Sequence, residues 1–158
     1  MAIRTELNLR LPTQPRALAG VCGLLSDERV NILSMELDST GRLRLVVDNP
    51  VHAAGILREH HHQVAERDVI FMAVPNAPGS LAPTLRLISD AGVNIEYAYG
   101  GGSEGGPTAS IVVGVDDAQR AAAAGGSRRN CKFRTANCWL WISTAAEFPM
   151  KSAIWQFS

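Results

Sequence analysis

The sequence contains an internal repeat, which constrains the fold more than any other feature. When the chain is aligned with itself so that Pro12 falls on Pro75, residues 12–32 match residues 75–95, and 10 of 21 positions are identical. Unrelated stretches of this length share roughly one or two residues. The identical pairs are Pro12/Pro75, Pro15/Pro78, Leu18/Leu81, Ala19/Ala82, Leu24/Leu87, Ser26/Ser89, Asp27/Asp90, Val30/Val93, Asn31/Asn94 and Ile32/Ile95. One supersecondary unit is therefore expected to occur twice.

The first half of each copy has the pattern of a strand followed by an amphipathic helix. Residues 6–11 alternate apolar and polar, and residues 69–74 are mostly apolar, as half-buried and buried strands are. Pro83 falls in the first turn of the second helix if Ser80 is its N-cap, where a missing N–H has no cost. The apolar positions at helical spacing are Leu18, Cys22 and Leu25 in the first copy and Leu81, Leu85 and Ile88 in the second.

The second half of each copy predicts two strands, a helix and a last strand. The strands are predicted over residues 32–37 and 43–47 in the first copy and over residues 95–99 and 110–115 in the second. Helices over residues 51–60 and about 118–124 follow the N-cap candidates Asp48-Asn49-Pro50 and Asp116-Asp117. A fourth strand near residues 63–67 leads into the second copy, which needs a fourth strand of its own after its last helix.

The order βαββαβ, occurring twice, predicts the α+β fold class. We expect two tandem ferredoxin-like units with antiparallel sheets and helices on one face. The predicted domains are residues 1–68 and 69–126.

Composition and charge argue against several functions that this fold can carry. Residues 1–126 hold 10 basic and 14 acidic residues, and the third strand of each copy has no aromatic residue for a base to stack on, so nucleic-acid binding is not expected.

No stretch reaches the roughly 18 apolar residues of a membrane span, and no signal peptide is recognised. We therefore expect a cytoplasmic protein without membrane association, with its three cysteines as free thiols. No nucleophile–base pair has a recognisable spacing, so no catalytic residue, cofactor or metal is expected and the protein is not predicted to be an enzyme.

Residues 75–82 (PNAPGSLA) and residues 89–97 (SDAGVNIEY) together resemble the ACT domain, a regulatory module that binds amino acids. The entry to the second helix of the first copy, residues 48–54, is similar to that family as well. The resemblance covers about residues 5–125 and is to small stand-alone tandem-ACT proteins. It implies a ligand-binding regulatory protein whose ligands bind at the loop before the first helix, between two ACT units.

Physical reasoning favours the same loop in the second copy. A helix N-terminus has unpaired N–H groups and a partial positive charge that can hold a carboxylate, Gly79 lets a ligand approach the backbone, and Asn76 offers a donor and an acceptor. The alternative is that residues 76–79 are an ordinary turn and that Asn94 has a left-handed conformation before a strand. The ligand residues implied by the resemblance are Asn76, Ala77, Pro78, Gly79, Ser80 and Leu81 in the loop and Asn94 and Ile95 on the facing strand.

The first copy departs from this pattern at its loop. Arg16 stands where the second copy has Gly79, so its side chain would either block the site or bind a carboxylate from the other side. We favour a degenerate site. The residues of this possible second site are Thr13, Gln14, Arg16, Ala17 and Asn31.

Three further features have ordinary structural interpretations. Tyr97 and Tyr99 are predicted to share one strand face with Ile95, as core or interface aromatics. Residues 100–107 read as a mobile glycine-rich hairpin loop, and residues 60–62, three histidines, as a solvated helix end and not a metal site.

Residues 127–158 differ in composition from the rest of the chain. They hold five basic residues and one acidic residue, together with all three tryptophans. The hypothesis is that this segment is an atypical tail not native to the family, for instance from a change of reading frame. The alternative is an extension that packs on a partner.

The sequence as a whole predicts an amino-acid-binding sensor. It is expected to form a homodimer, since an open sheet edge and a site between units both favour pairing, and it could regulate an enzyme in trans. The alternative is a non-binding structural or regulatory subunit that assembles with a metabolic enzyme.

Overall fold

The computed structural model describes residues 1–126, and the predicted tail over residues 127–158 lies outside the described residues. Strands and helices alternate in the predicted order. The strands are β1 (Ala2–Arg10), β2 (Ile32–Leu37), β3 (Arg42–Val47), β4 (Ala65–Pro75), β5 (Ile95–Gly102) and β6 (Thr108–Val115), and the helices are α1 (Ala17–Asp27), α2 (Pro50–Glu59), α3 (Leu81–Asp90) and α4 (Ala118–Gly126).

Local sequence accounts for where the helices begin. The Asn49 side chain accepts a hydrogen bond from the His52 N–H at 3.2 Å, and Pro50 then opens α2, which is the predicted cap. Pro83 lies in the first turn of α3, as predicted, whereas Ser80 precedes this helix without a side-chain capping bond.

The six strands form one antiparallel sheet in the order β2-β3-β1-β4-β6-β5. The predicted fold class is confirmed, but the two expected sheets are a single continuous one. Repeat 1 (β1 to α2) contributes one half of this sheet and repeat 2 (β4 to α4) the other.

The central strand β4 belongs to both repeats. Its residues 65–71 pair with β1 as the fourth strand of repeat 1, while its residues 70–75 pair with β6 as the first strand of repeat 2. Thr5 pairs with Asp68 across these two strands. The same two residues correspond to each other in the alignment that places Pro12 on Pro75, so an approximate twofold axis that relates the two repeats passes through this pair. β1 therefore occupies the position beside β4 that a fourth strand of repeat 2 would take. The separate strand predicted near residues 63–67 is the beginning of β4, and the predicted boundary between residues 68 and 69 falls inside it.

The helices cover one face of the sheet and bury a core in each repeat. Leu7, Leu25 and Leu57 are fully buried in repeat 1, and Ile70 and Ile88 are fully buried in repeat 2. Burying each such side chain stabilises the fold by about 1.5–3 kcal/mol. The two cores meet along the β1–β4 pair, so the described residues fall within one compact unit.

The opposite face of the sheet, called here the open face, carries no helix within the described residues. Val46, Val69 and Val112 are nonetheless fully buried there, with Tyr99 packed against them. The sheet curves over this face strongly enough that the two edge strands, β2 and β5, approach within 8 Å at their Cα atoms. The curvature is what buries the open face in the absence of helices.

Candidate functional site

A cavity of about 630 Å³ lies at the β1–α1 loop of repeat 1. Its walls are the loop itself, the first residues of α1 and the hairpin that joins β2 to β3. The lining includes Thr13, Gln14, Arg16 and Ala17, four of the five residues of the possible second site, together with the apolar Leu11, Pro12, Pro15, Leu18 and Leu37. The loop interpreted as degenerate from its sequence is therefore concave and large enough for a small molecule.

Arg16 has a left-handed backbone, with φ of 72°. Gly79, the equivalent residue of repeat 2, has φ of 82°. A left-handed conformation costs a non-glycine residue about 1–2 kcal/mol, so repeat 1 keeps an arginine where the backbone favours glycine. Arg16 is one of the residues that line the cavity, and its guanidinium group is permanently charged.

Asp38 supplies the cavity with a negative charge. Its Oδ1 accepts hydrogen bonds from the backbone N–H groups of Thr40, at 2.8 Å, and Arg42, at 3.0 Å. The side-chain hydroxyl of Thr40, followed by the backbone bond from Arg42, holds the pKa of Asp38 below its usual range. The cavity thus combines one cation and one ionised carboxylate with a largely apolar wall.

The corresponding loop of repeat 2 is occupied by contacts within the chain. The Asn76 amide donates to the Ser103 carbonyl at 3.0 Å and to the Gly106 carbonyl at 3.1 Å. Asn76 therefore anchors the glycine-rich β5–β6 connection and has both amide hydrogens engaged. Residues 76–79 are exposed, and a Cβ added to Gly79 would meet nothing within 4 Å.

Asn31 and Asn94, the equivalent asparagines before the second strands, do not reach these loops. Asn31 donates its backbone N–H to Asp48, and Asn94 donates its own to Asp116, both at 3.1 Å. Asn94 follows α3 whereas Ser80 precedes it, and a ten-residue helix is about 15 Å long. Asn94 does not have the left-handed backbone that the turn interpretation allowed, since that conformation falls on Gly92. Asn94 could join the loop residues around one ligand only if a second unit faced this one.

A buried polar cluster on the open face was not recognised from the sequence. The Glu6 side chain is fully buried. Its carboxylate accepts hydrogen bonds from the Tyr97 hydroxyl at 2.7 Å, the Tyr99 hydroxyl at 2.8 Å and the Asn8 amide at 2.8 Å. The alternation of β1 places Glu6 opposite its apolar neighbours, but only the curvature of the sheet buries it, and the strand pattern does not predict that curvature.

Two arginines complete this cluster by contacting the ring of Tyr97. The guanidinium carbons of Arg44 and Arg67 lie 4.4 Å and 5.5 Å from the ring centroid, within the range of cation–π interaction. Each arginine also pairs with a carboxylate, Arg44 with Glu36 and Arg67 with Glu96. The cluster joins strands of both repeats and so fixes the repeats to each other.

The predicted face of the tyrosines needs one correction. A β-bulge between Ile95 and Tyr97 changes the alternation of β5. Ile95 therefore packs into the helix-side core of repeat 2, whereas Tyr99 packs on the open face. Both tyrosines are half-buried, and Tyr99 packs against the buried valines of the open face, but they do not share a face with Ile95.

Two structural findings bear on the other predicted features. None of the helices within residues 1–126 reaches the length and hydropathy that a bilayer-spanning helix requires. Within the same residues, no three His, Cys, Asp or Glu side chains converge on a common metal position.

A family model described as an ACT domain pair matches residues 3–124, which confirms the resemblance identified in the sequence. No curated protein matches the sequence at a significant level. Protein BT0572 from Bacteroides thetaiotaomicron superposes with a TM-score of 0.69 and 27% identity, over 77% of this chain and 85% of that one.

Regulatory domains of aspartate kinase share the fold at lower identity. The ligand-free regulatory subunit from Thermus thermophilus gives a TM-score of 0.58 with 18% identity, over 78% of this chain and 89% of that one. Aspartokinase III of E. coli, solved in complex with lysine and aspartate, gives 0.52 with 15% identity, over 78% of this chain and 31% of that one.

Proposed function

Because the chain belongs to the ACT domain pair family, we propose that it is a regulatory protein that binds an amino acid and has no catalytic site of its own. Regulatory subunits of aspartate kinase have the same fold, and E. coli aspartokinase III has been solved with lysine and aspartate. An amino-acid ligand for this chain needs a site with matching chemistry on the chain itself.

The observation that carries the proposal is the composition of the repeat 1 cavity. An α-amino acid presents a carboxylate, an ammonium group and a side chain close together. Arg16 can bind the carboxylate through two parallel N–H donors. Asp38 can pair with the ammonium group, since an aspartate is ionised at neutral pH and the hydrogen bonds that lower its pKa favour the charged form. The apolar wall, which includes Leu11 and Leu37, would contact the ligand side chain.

The start of α1 adds a second group for the carboxylate. The first N–H groups of a helix have no partner within the helix and lie at its positive end. α1 begins at Ala17 with no side-chain cap bond from the preceding residue. The ligand carboxylate would thus accept hydrogen bonds from these N–H groups, as anions bound at helix N-termini do.

The repeat 2 loop remains the second candidate. Gly79 leaves open space beside the backbone at the start of α3, and the sequence predicted this site from residues 76–81 and the facing residues 94 and 95. A ligand that used the Asn76 amide would have to compete with Ser103 and Gly106 for it. Geometry therefore favours the repeat 1 cavity, and the repeat 2 site stays a prediction.

A thermal-shift screen against the twenty amino acids tests the proposal, since a ligand that binds only the native state raises the melting temperature in a concentration-dependent manner. Arg16→Gly removes the cavity cation and places at residue 16 the residue that repeat 2 has at a similar φ. Gly79→Arg is the matched control, because Arg16 shows that an arginine is accommodated at this position of the repeat.

Each outcome of the screen has one interpretation. A shift that is lost in Arg16→Gly and in Asp38→Asn but kept in Gly79→Arg places the ligand in repeat 1. The reverse pattern for Arg16→Gly and Gly79→Arg places it in repeat 2. No shift with any amino acid at millimolar concentration, with a cooperative melt of the free protein, contradicts amino-acid binding and supports the non-binding subunit that assembles with a metabolic enzyme.

The homodimer and the enzyme partner in trans belong to the same proposal, as does a cytoplasmic location. Met35 and Leu37 are each 45% exposed on the edge strand β2, and Leu37 also lines the repeat 1 cavity. Apolar side chains on an open edge favour association with another chain. Light scattering of the wild type and of Met35→Ser/Leu37→Ser checks this, since the double variant should be monomeric at a concentration where the wild type is a dimer.

A further inference from the structure

The end of the open face carries an unusual pair of like charges. Arg10 on β1 and Arg42 on β3 are direct partners in the antiparallel register. Side chains that are direct cross-strand partners lie about 4.5–5.5 Å apart at their Cβ atoms, and like charges placed so are destabilising. Among residues 1–126, neither guanidinium group has an ion pair or a side-chain hydrogen bond.

The pair lines a cavity of about 340 Å³. The cavity spans the ends of three neighbouring strands, because Arg42 lies on β3, Arg10 on β1 and Ala65 at the start of β4. Asn8 and Gln63 add amide groups to its wall. The two guanidinium groups and the Gln63 amide provide hydrogen-bond donors, while the Asn8 amide already donates one hydrogen to Glu6, and no carboxylate is among the lining residues.

The charge at this cavity is opposite to that of the chain around it. Residues 1–126 have a net charge of −4. On the open face, the other arginines near the cavity are matched, since Arg44 pairs with Glu36 and Arg67 pairs with Glu96. Arg10 and Arg42 are thus a local unmatched pair of positive charges within residues 1–126, which are acidic overall.

From these observations we infer that Arg10 and Arg42 form a binding site for a small oxyanion, a phosphate or carboxylate group of a soluble metabolite. Because Arg10 and Arg42 are cross-strand partners that line the same cavity, both guanidinium groups can reach one such group, and an anion between them would replace a repulsion with two charge-assisted pairs. This site is separate from the amino-acid cavity of the proposed function. The two sites are nevertheless back to back, because Leu11 and Gly41, which follow Arg10 and precede Arg42, line the other cavity.

The test compares the melting temperature of the full chain in inorganic phosphate, malonate and chloride at matched ionic strength. The variants are Arg10→Gln and Arg42→Gln, and Arg86→Gln is the matched control, since Arg86 is an exposed arginine of α3 without an ion pair among the described residues. Phosphate or malonate should raise the melting temperature of the wild type above its value in chloride. The apparent affinity should fall at least tenfold in each cavity variant and stay unchanged in Arg86→Gln.

A rise that is lost in both cavity variants but kept in Arg86→Gln identifies a phosphate site if only phosphate causes it, and a carboxylate site if only malonate does. A rise that is kept in every variant is the general effect of salts excluded from the protein surface and counts against the inference. In chloride, Arg42→Gln should melt at or above the wild-type temperature, because the substitution removes the repulsion between the two arginines. A loss of the anion effect in this variant therefore cannot be attributed to a loss of folding. The inference is overturned if neither anion acts beyond chloride, or if Arg10→Gln and Arg86→Gln respond alike. Either result leaves the amino-acid screen unaffected, because that screen depends on Arg16 and Asp38.

Discussion

Raising the pH should destabilise the protein through the two tyrosines that surround Glu6. Burial, and then the hydrogen bond and the negative charge of the Glu6 carboxylate, raise the pKa of Tyr97 well above its usual value. Burial followed by the same carboxylate raises the pKa of Tyr99 as well. Both hydroxyl groups donate to Glu6, so ionising either one would place a second negative charge beside a buried carboxylate.

The direction of the effect follows from proton linkage. In the unfolded chain both tyrosines titrate near a pKa of about 10, and in the folded chain their pKa is higher. Their contribution to stability is complete below about pH 10 and is lost as the pH rises toward the folded pKa, because only the unfolded state then releases protons. The free energy of unfolding should fall by up to about 1.4 kcal/mol per pH unit for each tyrosine.

For both tyrosines together, the loss is at most about 5 kcal/mol over roughly two pH units. That is comparable with the whole stability of many small domains, which is about 5–15 kcal/mol. The free energy of unfolding should therefore fall steeply as the pH rises above the ordinary tyrosine pKa of about 10.

The near-ultraviolet absorbance of tyrosinate measures this directly, because the chain contains only two tyrosines and both are in the cluster. Titration of the folded protein should show no tyrosinate until unfolding begins, which circular dichroism follows in parallel. Denaturant-unfolded protein should titrate near a pH of about 10. Leu87→Tyr is a positive control, since residue 87 is 47% exposed and the added tyrosine should ionise with an ordinary pKa in the folded protein.

The reasoning is refuted if both native tyrosines ionise with the ordinary pKa while the circular dichroism signal remains that of the folded chain. A second check uses Tyr97→Phe/Tyr99→Phe, which should have lower stability at neutral pH but a flatter decline in alkali. An unchanged alkaline slope in that variant would assign the pH dependence to other groups.

Three smaller predictions concern backbone conformation and packing, and chemical denaturation measures all of them. Arg16→Gly should raise the free energy of unfolding by up to about 1 kcal/mol, because it removes a left-handed arginine; a clear loss of stability would show that the arginine makes a compensating contact. Gly114→Ala should lower it by about 1–3 kcal/mol, since the new Cβ would overlap the Tyr97 ring, whereas Gly101→Ala, with open space around its Cβ, should have a much smaller effect. Gly20→Ala, on the exposed surface of α1 with nothing within 4 Å, should raise it by about 0.5–1 kcal/mol, and no gain there would contradict the helical boundaries.

The elements of the fold were predictable because the sequence signals them locally. Alternation, helical spacing and the cap at Asn49 depend on neighbours a few residues away. The internal alignment then allowed each element that was predicted in the first copy to be predicted in the second copy as well. The predicted strand over residues 32–37 has the observed bounds of β2.

The continuous sheet was not predictable by the same means. Whether residues 63–67 end one strand or begin another depends on which strands lie on either side. β4 pairs with β1 along one edge over residues 65–71 and with β6 along its other edge over residues 70–75, so the two pairings overlap at residues 70 and 71. Sequence periodicity continues unchanged through such a point. Because β1 fills the position beside β4, repeat 2 needs no fourth strand of its own within residues 1–126.

The residues of both loops were predicted from the sequence, but which of the two loops forms a cavity was not. That difference depends on the length of the connection between the second and third strands of each repeat. Ile32 pairs with Val47 in repeat 1, and its equivalent Ile95 pairs with Val115 in repeat 2, so the segment from the second strand to the end of the third is longer in repeat 2. In repeat 2 the longer connection folds back onto Asn76. In repeat 1 the short hairpin closes on Asp38 and leaves a cavity beside it. Asp38 was not identified as a site residue from the sequence, because its position in the cavity depends on how far the hairpin reaches.

The two repeats therefore share the backbone conformation at their loops but differ in the side chains that they place there. Repeat 2 has glycine at both left-handed positions that flank its first helix, Gly79 and Gly92, and repeat 1 has arginine at both equivalents, Arg16 and Arg29. Left-handed arginines cost stability at each position, and a fold that only had to assemble would gain from glycine there. At residue 16, the strained arginine adds a cation to a cavity that is also lined by the ionised carboxylate of Asp38. One cation and one carboxylate are the pair of charges that a zwitterionic ligand requires.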